Sequence, residues 1–148
     1  MTNYEKSNSI LKISFKPSAR AKRLSGQLLL SSGFEQRQSL SNFLVNELSY
    51  NADIERIALE ITDTKQWHKR KGTRLAVKRY GVYYPKTKRI SIQNRTAVQG
   101  KELAPKTFMD TLLHEWMHHY DFQKLKINSI HTKGFYERVR FLKEILGM

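Results

Sequence analysis

Residues 114–118 read His114-Glu115-Trp116-Met117-His118, and the rest of the chain can be read outward from them. Residues four apart on an α-helix lie nearly over one another, so this spacing aims both imidazoles at one point. Glu115 stands about 100° around from His114, flanking the same face, where a carboxylate can take a proton from a water acidified by a metal ion. The flanks favour a helix. With His114 at zero degrees, Leu112, Leu113, Trp116 and Tyr120 fall on the opposite side and can bury, while His114, His118 and Asp121 share the other. The competing interpretation is a surface helix with two solvated histidines.

A catalytic zinc takes three protein ligands and keeps one position open. Four side chains downstream of His118 are candidates for the third. His119 points about 140° away from His114, toward the apolar face. Asp121 lies a turn beyond His118, better placed to hydrogen-bond a ligand's free ring nitrogen than to touch the ion. His131 follows a loop at the mouth of the next helix and can fold back over the metal. It is the favoured third ligand, with Glu137 as the fallback. His68 stands in a basic loop and receives no role.

The composition narrows the chemistry further. The chain has no cysteine, which excludes disulfides, thiol nucleophiles, zinc ribbons and iron–sulfur clusters, so a metal site must use histidine and carboxylate. A length of 148 residues and a 39% hydrophobic share suit one core. No run approaches the roughly 18 apolar residues of a membrane span, and Leu28-Leu29-Leu30 is too short for a signal-peptide core, so a cytoplasmic location is expected. The formal charge is +14. From Thr64 to Lys101 the chain carries twelve lysines and arginines and no acid. One-signed clustering of that kind suits a polyanionic partner, nucleic acid above all. Lys69, Arg70, Lys71, Arg74, Lys78 and Arg79 are the expected phosphate contacts. Trp67, Tyr80 and Tyr83 are interleaved with them and suited to stacking on unpaired bases, in single strands or disrupted duplex. The rival is that Trp67 and Tyr83 belong to the core and the charges to a solvated face.

Along the chain, residues 1–33 are polar and basic and read as a partly disordered arm, with at most a short strand around Ile10, Ile13 and Phe15. Residues 34–148 read as one domain. Leu40, Phe43, Leu44 and Leu48 predict an amphipathic helix over 35–50. Ile54 to Thr62 reads as a strand, and Gln66 to Thr73 as a basic loop. Leu75–Val77 and Val82–Tyr84 alternate, and residues 85–88 form the turn of a β-hairpin completed by Arg89–Gln93. Pro105 opens a helix running to about Lys124, and a last helix covers about 132–146 with Phe135, Val139, Leu142 and Ile145 on its apolar face. The fold class is therefore α+β, a small antiparallel sheet with a β-hairpin packed against the H-E-x-x-H helix and flanking helices.

His114-Glu115-Trp116-Met117-His118, a short loop, and then His131-Thr132-Lys133-Gly134-Phe135 opening a last helix resembles the SprT-like metallopeptidases, the group that includes Spartan. The resemblance covers about Ile54 to Leu146. It implies a zincin-like, minigluzincin-like fold, with His114, His118 and His131 as zinc ligands and Glu115 as the base. It also implies a DNA-dependent protease acting on proteins bound or crosslinked to DNA. Many relatives add a cysteine-rich zinc ribbon; with no cysteine here, DNA contact would come from the domain and its basic arm. Two other functions are open: a peptidase that cleaves one protein partner such as a repressor, and a non-catalytic nucleic-acid-binding module. Tyr84 and Tyr136 are candidate donors to the oxyanion formed in peptide hydrolysis.

Overall fold

The computed structural model describes residues 1–65, 69–71, 74–77, 80–96 and 99–148, with the backbone alone at 64, 65, 69–71 and 74–77. Its centre is the helix that carries the H-E-x-x-H motif, α4 (Pro105–Tyr120); in chain order it follows α1 (Asn3–Ser9), α2 (Ala19–Leu29), α3 (Phe34–Asn51) and the strands β1 (Ala58–Lys65), β2 (Lys69–Lys71), β3 (Arg74–Val77), β4 (Gly81–Tyr84) and β5 (Arg89–Arg95). A π-helical turn at Asp121–Leu125 and α5 (Lys133–Ile145) complete the chain. Pro105 sits in the first turn of α4, where its missing N–H costs nothing. Phe108, Met109, Leu112, Leu113, Trp116, Met117 and Tyr120 are all fully buried on one side of that helix. Helices α2, α3 and α5 pack around it, and the sheet closes the remaining side through β4 and β5.

The sheet is mixed, which corrects the expectation of an antiparallel one. Its order is β1-β5-β4: the predicted hairpin pairs β4 with β5 antiparallel, but β1 runs parallel to β5, Leu59 opposite Ile90 and Ile61 opposite Ile92. The β4–β5 hairpin brings the chain back, so β5 fills the middle beside β1 and its inward Ile90, Ile92 and Asn94 are buried. Strands β2 and β3 form a separate antiparallel pair, so part of the expected basic loop is strand. The two edges of the main sheet differ. On the β1 side, α3 supplies bonds to the backbone: Gln38 Oε1 accepts from Ile61 N (2.9 Å), Gln38 Nε2 donates to the Leu59 carbonyl (3.1 Å), and Asn46 Oδ1 accepts from Ile57 N (3.1 Å). Side-chain cover of this kind blunts an edge strand. Among the described residues no strand pairs with the outer edge of β4.

Residues 1–33 are not a disordered arm. Thr2 caps α1 through Glu5 N (3.1 Å) and Ser18 caps α2 through Ala21 N (3.1 Å). Ala21, Leu24 and Leu28 place one face of α2 in the core, against α3 and α4. Ile13 is buried and Phe15 packs on Trp116 and Tyr120, both ring centroids at 5.7 Å, but neither lies in a strand. Helix α1 packs on α5. Buried Arg37 ties α3 to the sheet, donating to Ser31 Oγ, Asn94 Oδ1 and the Leu103 carbonyl. No helix among the described residues is long and apolar enough to cross a membrane.

Candidate metal centre

Helix α4 presents His114 and His118 one turn apart, as the spacing predicts. Past Tyr120 the helix widens into the π-turn, and Lys126 adopts a left-handed conformation (φ 57°) that reverses the chain. A left-handed residue at a helix end is the usual device for such a reversal. The returning loop carries Ser129 and His131, and Thr132 then caps α5 through Phe135 N (3.0 Å). His131 thereby lies over the ligand face of α4. Its Nε2 is 3.0 Å from His114 Nε2 and 3.1 Å from His118 Nε2. Three nitrogens around a tetrahedral zinc at about 2.0–2.1 Å stand roughly 3.3 Å apart, so these two separations match such an ion to within a few tenths of an ångström, and the ligand atoms of all three residues lie within 4.8 Å of one another. Glu137 and His119 are not part of it. Glu137 pairs with Arg140 on the surface of α5. His119 is fully buried under the sheet, where Nε2 donates to the Glu55 carbonyl (2.8 Å) and Nδ1 accepts from the Tyr83 hydroxyl (2.7 Å).

Phe135 backs the cluster, with its ring centroid 5.0 Å from that of His114, 4.5 Å from His118 and 5.5 Å from His131. This apolar wall has an electrostatic consequence. Burial, and then the neighbouring imidazoles, lower His114 to about 4 and His118 to about 3 from an ordinary 6.5. Both rings therefore stay neutral at pH 7 and keep a lone pair for a metal.

His118 has its free nitrogen fixed. Ser129 Oγ donates to Asp121 Oδ2 (2.8 Å), so the serine oxygen in turn accepts from His118 Nδ1 at 2.8 Å. The proton then sits on Nδ1 and Nε2 faces the cluster. Asp121 was expected to reach a ligand directly; instead it acts through a serine that carried no sequence signal. Asp121 is fully buried and paired with fully buried Arg138, by Nε to Oδ1 (3.1 Å) and Nη2 to Oδ2 (2.8 Å). Burial pushes its carboxyl up, against the opposing pull of Arg138 and Ser129.

The cluster opens on a cleft of about 460 Å³ lined by His114, Glu115, His118 and His131 on one side and by Gly81, Val82, Tyr83 and Pro85 of the β4 region on the other. Glu115 is largely buried yet lines this cleft and a second hollow bounded by Tyr80, Gly81, Asp110 and Thr111. Gly81 makes the close approach of β4 to α4 feasible. A Cβ there would stand 2.8 Å from Thr111 Cγ2 and 3.1 Å from Glu115 Cγ. Of the two tyrosines considered as oxyanion donors, Tyr136 stacks against His131 with centroids at 5.9 Å. Tyr84 lies under the Arg89 guanidinium instead.

The expected nucleic-acid face is only partly placed. Lys69, Arg70, Lys71 and Arg74 lie on the β2–β3 pair. Lys78, Arg79, Trp67 and His68 lie outside the described residues. Tyr83 is not a stacking residue: β4 turns it inward with Gly81, leaving it 8% exposed with its hydroxyl on His119. Burial, then the Glu55 charge, raises that hydroxyl to about 12. Tyr80 is half-buried against the core. No family model, curated protein or solved structure matches the chain.

Proposed function

We propose that this chain is a zinc-dependent endopeptidase that works on DNA-bound or DNA-crosslinked protein. The observation that carries the reading is the convergence of His114, His118 and His131 on the cleft that Glu115 also lines. Among the described residues the cluster has three members and faces an open cleft; a structural zinc is usually closed by four protein ligands, so this donor set suits catalysis better. Bound zinc supplies a Lewis acid that lowers the pKa of water to about 7 and polarises a carbonyl. The protein's part is orientation and proton transfer. The Glu115 carboxylate takes a proton from the attacking water and returns it to the leaving amine as the peptide C–N bond breaks. Tyr136, whose ring stacks on His131, is the candidate donor to the carbonyl oxygen as it gains charge. Strand β4, at the end of the sheet order, lines the cleft, suiting an extended substrate that adds as a further strand.

The DNA part of the reading rests on the segment from residue 64 to 101, which carries twelve cations and no acid of its own; Lys88, Arg89 and Arg95 pair with Glu55, Glu60 and Asp63, while four others lie on β2 and β3. The resemblance to SprT-like metallopeptidases points the same way. The test is cleavage of a DNA-binding protein by the zinc-loaded chain, with and without single-stranded DNA, beside Glu115→Gln. DNA-stimulated cleavage that Glu115→Gln abolishes supports the proposal. Cleavage indifferent to DNA leaves a peptidase for a particular partner, and no cleavage in either case refutes the enzyme.

A further inference from the structure

Half-buried Ser129 and fully buried Asp121 and Arg138 form a chain behind His118, and its far end is not on the loop or on α4 but on the N-terminal helix. Arg138 Nη1 donates to the Ser7 carbonyl (2.7 Å) and the Ile10 carbonyl (2.6 Å), and Nη2 also reaches Ser7 Oγ (3.2 Å). Ser7 Oγ lies 2.7 Å from Thr132 Oγ1, next to His131 in sequence. Asn3 holds the backbone of Asn128 from both sides, at 2.8 and 2.9 Å, and Lys6 Nζ donates to the Leu125 carbonyl (2.8 Å). Gly134 N donates to Asn8 Oδ1 (2.9 Å), and a Cβ on Gly134 would fall 2.0 Å from the Ser7 carbonyl oxygen. Helix α1 is thus seated on the whole segment that delivers Ser129 and His131.

We propose that Ser129 and Asp121 are positioning residues for the metal ligand His118, held in place by Arg138 seated on the carbonyls of α1. The inference rests on the metal-centre reading above and deepens it. A histidine bound through Nε2 needs its proton on Nδ1, and a fixed acceptor at Nδ1 also stops the ring from turning. Ser129 is such an acceptor because its hydroxyl donates its one hydrogen bond to Asp121, leaving the oxygen lone pairs to His118. Asp121 can serve only while its charge is balanced, and Arg138 does that with two parallel hydrogen bonds in a fully buried site. Arg138 has further N–H groups to satisfy in the same buried place, and the Ser7 and Ile10 carbonyls meet that need. The first ten residues are therefore part of the support of the centre.

The experiment titrates zinc into full-length metal-free protein against a chromophoric chelator, for wild type, Ser129→Ala and Ser129→Thr. Loss of an outer partner of a ligating histidine typically weakens metal binding about 10–100-fold. Ser129→Ala should show a loss of that order, and Ser129→Thr, which keeps the hydroxyl, should recover most of it. Ser129 is half-buried in a loop, so the metal-free variants should remain folded under the conditions of the titration, which circular dichroism checks, and unfolding then cannot account for the loss. Equal zinc affinity in wild type and Ser129→Ala overturns the relay alone. A loss that threonine does not restore assigns Ser129 to packing and overturns it too. If wild type takes up no zinc, the centre itself is wrong and the relay falls with it.

Discussion

Replacing Arg138 by methionine should cost this protein more stability than its charge pattern suggests. Both Arg138 and Asp121 are fully buried, and their guanidinium and carboxylate meet through two hydrogen bonds of 3.1 and 2.8 Å. Methionine fills much of the volume but leaves Asp121 as an uncompensated buried charge. Removing one partner of such a pair costs about 3–5 kcal/mol. The Ser7 and Ile10 carbonyls lose their donor as well. Ser7 is fully buried and Ile10 half-buried, so water can reach only the second of these carbonyls, and about 3–5 kcal/mol is the lower end of the expected loss. Against the roughly 5–15 kcal/mol that holds a domain folded, this is a large share, on the order of 10 °C in melting temperature. Urea unfolding followed by circular dichroism measures it as a shift in midpoint. The double variant Asp121→Asn with Arg138→Met removes the stranded charge and should recover more than half of the loss, giving a coupling energy above about 2 kcal/mol. A loss below about 1 kcal/mol in Arg138→Met, or strict additivity in the double variant, would refute the buried pair as the anchor of α1.

The other expectations concern α1, pH and DNA. Gly134→Ala places a methyl group 2.0 Å from a backbone oxygen of α1, so α1 must lift; faster proteolysis within the first fifteen residues should report it, and an unchanged cleavage pattern would argue against the docking. For the metal-free protein, His114 and His118 titrate near 4 and 3 when folded and near 6.5 when unfolded. The unfolded chain then binds more protons between those values, so stability present above pH 6.5 is lost as pH falls toward 4 to 3. A urea midpoint constant from pH 7 to 4 would contradict the burial of these rings. Reversing Arg70 and Lys71 to glutamate should weaken DNA binding and reduce its salt dependence by about two phosphate contacts without changing zinc content. Unaltered DNA affinity would remove β2 from the nucleic-acid face.

The pairing of His114 with His118 was legible because helix geometry is local: four residues apart, with Leu112, Leu113 and Trp116 opposite, they share one face and join a cluster that could hold a metal ion. The loop that returns His131 was inferred from its length alone, and the structure adds the left-handed Lys126 and the Ser129 contact. Helices α1 and α2 were missed although each carried a local signal. Thr2 and Glu5 stand at capping-box spacing, and Ser18 precedes Ala21, Leu24 and Leu28 at helical intervals, but the surrounding lysines, arginines and serines lowered the apolar pattern. Nothing local could show the buried pair. Arg138 lies 17 residues from Asp121 and 131 from Ser7, and a lone charge in an amphipathic helix reads as solvent-facing. The parallel pairing of β1 with β5 is similarly non-local. For Tyr83 the rival placement in the core holds: alternation in β4 puts it on the inward side with Gly81, and the charges around it in sequence do not change which face it takes.

X-ray absorption at the zinc K-edge of the reconstituted protein bears most directly on the three-histidine centre. Four nitrogen or oxygen neighbours at about 2.0–2.1 Å, with the multiple scattering of three imidazoles, is the predicted result. His131→Ala should reduce the imidazole count to two. A six-coordinate, oxygen-only spectrum, or one that His131→Ala leaves unchanged, would contradict the centre described here.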